Sequence, residues 1–110
     1  MVRLSVTLAA RRGQAETLAA ALRSVMVQAQ RRPTCVHCEL SADVRDANTL
    51  HYVEEWVTET DLRYEIRSER FHRLIAVMET AAQQPKFEVQ LVSASFGLEY
   101  VRNAVGSGVW

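Results

Sequence analysis

Two cysteines, two prolines and four glycines in 110 residues leave no material for a disulfide scaffold, a collagen-like repeat or a low-complexity linker. Neither sign of charge dominates, because 13 Lys and Arg are matched by 13 Asp and Glu, so no global attraction to nucleic acid, an anionic membrane or acidic substrates follows. Apolar runs stop after a few residues, far below the roughly 20 needed to span a bilayer. The amino terminus passes straight into a strand pattern with no signal-peptide core. From these absences we expect a soluble, cytoplasmic protein. We also expect one domain over residues 1–110, since domains usually run about 100–150 residues and a chain of this size buries one core.

Against these absences stands a regular apolar rhythm. Val2, Leu4, Val6 and Leu8 alternate with Arg3, Ser5 and Thr7, the period-two signature of a half-buried strand. After Gly13, Ala15, Leu18, Ala19, Leu22, Val25, Met26 and Ala29 follow the i, i+3, i+4, i+7 spacing of an amphipathic helix, which Pro33 closes. Thr34 to Asp43 alternates again, the polar run Arg45-Asp46-Ala47-Asn48 supplies a hairpin connection, and Leu50 to Val57 returns antiparallel. Thr58 or Thr60 caps a second helical segment whose apolar phase shifts at Ser68, which predicts a kink or two pieces. Pro85 ends it, and Phe87, Val89 and Leu91 alternate as a fourth strand. The order β-α-β-β-α-β, with both helices crossing over on one face, predicts a ferredoxin-like α+β fold with a four-stranded antiparallel sheet. Residues 97–110 form a C-terminal extension, where Phe96, Leu98 and Tyr100 suggest another short strand that touches a partner subunit and Gly106-Ser107-Gly108 suggests a flexible turn.

Strand parity assigns Leu4, Val6, Leu8, Val36, Cys38, Leu40, Val53, Val57, Val89 and Leu91 to the helix-covered face. The opposite parity collects Arg3, Ser5, Thr7, Cys35, His37, Glu39, Tyr52, Glu54, Trp56, Glu88, Gln90 and Val92. Rings standing among polar groups on an open sheet predict a mating surface, and hence a homodimer packed face to face. Cys35-Val36-His37-Cys38 invites a zinc or redox interpretation, but residues i and i+3 of a regular strand point to opposite faces, so no metal about 2.3 Å from both sulfurs is expected. Arg11-Arg12 and Arg31-Arg32 flank the first helix without interleaved aromatics, which does not make a nucleic-acid surface. No glycine-rich phosphate loop, Ser-His-Asp spacing or dinucleotide fingerprint is present.

The stretch from Tyr52 to Glu88, through YVEEW, SERFHRLIAVM and QPKFEV, resembles the antibiotic biosynthesis monooxygenase superfamily of small dimeric α+β barrels. Members commonly carry a strand ending in Glu-x-Trp, a helix with His-x-x-Ser-x-x-Phe, and a proline before the last strand. Glu54, Trp56, Ser68, Phe71 and Pro85 fit those places, and Glu65 stands where the histidine is frequent. The resemblance implies a dimeric barrel. It also implies one of several activities: cofactor-independent oxidation of a quinol-like or polyketide aromatic by molecular oxygen, isomerisation of small signalling molecules, chemistry on haem, or none. An oxygenase of this kind draws its electrons from the substrate, so it needs a base for a phenol and a water-restricted pocket. On that basis Trp56, Glu65 and His72 are the candidate catalytic residues, with His37, Tyr52, Glu54 and Phe71 contacting a small aromatic substrate. Glu65 and His72, seven residues apart, are expected on one helix face. A non-catalytic dimeric module binding a small apolar ligand, and a haem-handling protein using His72 or His37, are the alternatives.

Overall fold

The computed structural model describes residues 1–106. The strand β1 spans Val2–Ala9, followed by α1 over Ala15–Gln30, β2 over Cys35–Ala42 and β3 over Thr49–Trp56. Two helices, α2 (Glu59–Ile66) and α3 (Glu69–Met78), lead to β4 over Lys86–Leu91, and α4 covers Leu98–Val105. The strands form one sheet in the order β2-β3-β1-β4 with every neighbouring pair antiparallel, the ferredoxin-like arrangement that the element order predicts.

Local chemistry sets the boundaries. Thr58 and Asp61 form a reciprocal capping box at the start of α2, each side chain accepting from the other's backbone N–H. The phase shift expected at Ser68 is a true break. Arg67 ends α2, and the Ser68 hydroxyl accepts from the Phe71 N–H to start α3. Between β2 and β3, Asp43 accepts from the Arg45 N–H and Asp46 from the Asn48 N–H, the short self-bonded turns that make acidic residues loop formers.

Two expectations are corrected. The first concerns the phase of β3. Cα pairing sets Trp56 opposite Val2, Glu54 opposite Leu4 and Tyr52 opposite Val6, and directly opposed residues of an antiparallel pair share a face. Tyr52, Glu54 and Trp56 therefore lie beneath the helices with no exposed surface, not on the open side. Val53 and Glu55 take the open side with Arg3, Ser5 and Thr7, and Arg3 and Glu55 make a 3.6 Å ion pair there. Two apolar phases competed in this strand, and a glutamate within the Leu50-Tyr52-Trp56 phase disguised the one that folds inward. The face-to-face packing argued from rings on the open sheet therefore loses its basis.

The second correction is α4, where a strand was expected. Leu98, Val101 and Val105 carry helical spacing alongside the period-two Phe96, Leu98 and Tyr100, and the Phe96 and Tyr100 rings meet at 5.2 Å across one turn. The helix stops at Gly106, whose φ of +102° suits glycine. The remainder of the expected Gly106-Ser107-Gly108 turn lies outside the described residues. Among those residues no helix is long and apolar enough to cross a membrane.

The interior is built from Val2, Leu4, Val6 and Leu8 of β1, Leu18, Leu22, Val25 and Ala29 of α1, and Leu62, Phe71 and Leu74 of α2 and α3. The helices leave β4 uncovered. Phe87, Val89 and Leu91 pair with Val6, Leu4 and Val2 and so point to the helix side, yet all three are exposed, as are Phe96, Leu98, Tyr100, Val101 and Val105.

Candidate functional site

A glutamate that arrives under the helices as part of a strand's inward phase needs a counter-charge, because burying a lone carboxylate costs several kcal/mol. The break at Ser68 supplies it. Restarting the helix at Glu69 places Arg70 on the inner side of α3, where it is 2% exposed. Its terminal nitrogens donate to both oxygens of Glu54, Nη1 to Oε2 at 2.7 Å and Nη2 to Oε1 at 3.1 Å, a bidentate pair. Its Nε donates to Glu65 Oε1 at 2.7 Å. The guanidinium also lies 5.8 Å from the centroid of the Trp56 ring, within cation–π range.

Glu54 is saturated. The Tyr52 hydroxyl donates to its Oε2 at 2.5 Å and the Trp56 indole N–H to its Oε1 at 3.1 Å, in addition to Arg70. Burial pushes the Tyr52 phenol well above its ordinary range and the Glu54 charge pushes it further, so Tyr52 remains a protonated donor at neutral pH. Burial alone lowers the proton affinity of Arg70, but its bonds to Glu54 and Glu65 outweigh that and leave it firmly protonated.

Glu65 differs. Arg70, the Ser68 hydroxyl at 3.3 Å and Arg32 Nε at 3.4 Å all converge on Oε1. Oε2 has no partner among the described residues, and no buried side-chain oxygen or nitrogen there lacks one, so Oε2 opens toward the surface. Arg32, which reaches Oε1 from the rim, has a side chain about half exposed. Two carboxylates share one guanidinium in a buried network, and Arg32 adds a second cation at the rim.

Of the residues singled out from the sequence, Tyr52, Glu54, Trp56 and Glu65 are brought together, and Phe71 packs in the adjoining interior. His72 is not. The break between α2 and α3 removes the common helix face expected for Glu65 and His72, leaving Glu65 buried and His72 exposed. His37 sits opposite Glu55 on the open side and meets Glu39 at 3.4 Å, so the sheet separates it from Tyr52. Arg70 stands in the sequence with Arg63, Arg67 and Arg73, a run that reads as one solvated helix face, yet the structure buries it. The available signal was the inward glutamate, which demands a cation from the facing helix.

Two cavities among the described residues lie apart from this network. A groove of about 630 Å³ runs between α1 and the end of α3, lined by Arg11, Gln14, Thr17, Leu18, Ala21, Val77 and Thr80. A hollow of about 220 Å³ lies beside Arg23, Met26 and Leu40. Neither is lined by a carboxylate or histidine, so neither is equipped for acid–base chemistry, and the network carries the chemical argument.

A ferredoxin-like sheet with an acid–arginine–acid network beneath its helices defines the class. The family follows from comparison: the family model described as antibiotic biosynthesis monooxygenase matches residues 1–77, and the chain belongs to that family. No curated protein matches it. Among solved structures, a Pseudomonas aeruginosa protein is similar at 25% identity with a TM-score of 0.72, covering 84% of this chain and 94% of its own. A candidate antibiotic biosynthesis monooxygenase from Deinococcus radiodurans is similar at 15% identity and a TM-score of 0.80, covering 88% of this chain and 97% of that one. One from Nitrosomonas europaea reaches a TM-score of 0.75 at 15% identity over 86% of this chain and all of its own. The last two likenesses concern the fold alone.

Proposed function

We propose that this chain is a homodimeric, cytoplasmic, cofactor-independent monooxygenase that oxidises a small quinol-like or polyketide aromatic at the network around Glu65. The observation that carries this reading is the free Oε2 of a buried glutamate whose other oxygen is fixed by Arg70, Ser68 and Arg32. In this reaction the substrate supplies all the electrons: an activated aromatic CH2 and O2 give a C=O and one water. Glu65 takes one methylene proton as its electrons move into the phenolate, returns it to the peroxide formed when O2 adds at that carbon, then takes the remaining C–H proton as the O–O bond breaks and passes it to the departing hydroxide, so both methylene hydrogens leave in the water. Arg70 offsets the negative charge that develops on the phenolate and then on the peroxide, since each terminal nitrogen keeps an N–H not used by Glu54. The indole N–H of Trp56 is committed to Glu54, so the ring is a wall, and Tyr52 orients Glu54. Substrate approaches Glu65 from the rim, where the Arg32 side chain is about half exposed.

The dimer rests on family membership and on the uncovered apolar side chains of β4 and α4, which a second copy would cover. Metal-free protein given electron-rich phenols is expected to consume oxygen in step with product, one O2 per carbonyl formed. Silence across a broad quinol panel would favour the second reading, a dimeric module whose apolar groove beside Leu18 and Val77 holds a small ligand. The haem reading draws less support, since neither His72 nor His37 lines either cavity.

A further inference from the structure

The expectation that Cys35 and Cys38 point apart holds only for a regular strand, and β2 is not regular. Cys35 pairs with Trp56 and Cys38 with Glu54, two residues apart on β3 but three apart on β2, so the ladder slips between Cys35 and His37. Such a bulge sets two residues against one and reverses the alternation. Val36 is thrown outward and exposed, while both cysteines turn to the helix side. Their sulfurs stand 3.3 Å apart. The two residues differ in access: Cys38 is buried against the interior, whereas Cys35 is half-buried at the strand's beginning. No third cysteine, histidine or acid joins them in a metal-binding group among the described residues.

We propose that Cys35 and Cys38 are a peroxide-oxidisable dithiol that closes to an intrastrand disulfide at the edge of the Glu54–Arg70 network. A disulfide needs the sulfurs at about 2.05 Å, so they must approach by little more than an ångström. The reaction balances with a hydroperoxide as oxidant. Cys35, the accessible member, attacks the peroxide oxygen as its thiolate; the O–O bond breaks, the leaving oxygen takes up a proton, and Cys35 becomes a sulfenic acid. Cys38 then displaces the sulfenic hydroxyl as water and forms the S–S bond, so two thiols and one H2O2 give one disulfide and two waters. Burial pushes both thiols above their ordinary range, so little thiolate is present and the disulfide closes slowly unless peroxide is in excess. The inference does not depend on oxygenase activity.

The test is to treat the whole protein with excess hydrogen peroxide, alkylate the remaining thiols, and weigh it intact and as peptides. The expected result is a mass lower by two hydrogens, both thiols lost to alkylation, and full recovery of both with dithiothreitol. Cys35→Ser is expected to abolish the change and leave Cys38 alkylatable. The proposal is overturned if both thiols remain alkylatable, if each gains oxygen separately, or if the product is a disulfide between two chains. Circular dichroism of the oxidised protein before alkylation checks that the fold is intact, because an unfolded chain would also cross-link. A disulfide formed only with loss of the native spectrum counts against the proposal.

Discussion

Replacing Arg70 with alanine is expected to destabilise the fold by about 3–5 kcal/mol, the usual cost of removing one partner from a buried ion pair. For a domain of this size that lowers the thermal midpoint by on the order of 15 °C. The loss is large because Arg70 is 2% exposed and its removal strands two carboxylates, Glu54 and Glu65, in a dry interior. Arg63→Ala, on the outer face of α2, removes only an exposed contact to Glu59 and should leave the midpoint close to wild type.

Glu65→Gln is expected to cut turnover of an electron-rich phenol by about 10²–10⁴-fold, the typical share of a positioned general base, while leaving the fold close to wild type. Glutamine retains an acceptor for Arg70 and Ser68, and Arg70 still faces the charge of Glu54. The substitution removes one of two negative charges from around a single guanidinium, so it does not strand a charge. His72→Ala supplies the contrast, because His72 is exposed and outside the network. Its turnover should equal wild type. Oxygen consumption by the two variants, alongside their melts, separates a proton-transferring Glu65 from one that only supports structure.

Much of the fold was legible because single-residue rules and global packing agree in it. The alternation of β1 has one possible phase, Pro33 and Ser68 mark breaks that the backbone obeys, and the element order leaves one reasonable topology. Legibility failed where a buried charged residue broke the local rule. Glu54 occupies an inward position that hydrophobic patterning reserves for an apolar side chain, and only Arg70, sixteen residues on, makes it tolerable. Period-two counting gave the cysteines opposite faces because it knows nothing of the extra residue at Val36. At Leu98–Val105 the same side chains satisfy both periods, and the helical one prevailed. Glu65 was found through its place in the family pattern, but its role as the carboxylate with a free oxygen came from geometry.

The central claim is that a small aromatic meets this protein on the helix side of the sheet, at the Glu54–Arg70–Glu65 network. Nuclear magnetic resonance of labelled protein titrated with an electron-rich phenol tests it under nitrogen, where no turnover occurs. The account predicts shifts concentrated at the Arg70 side-chain Nε–H, the Trp56 indole N–H and the Ser68 amide. Shifts confined to Ser5, Thr7 and Val53, on the open side, would place the ligand across the sheet and contradict it.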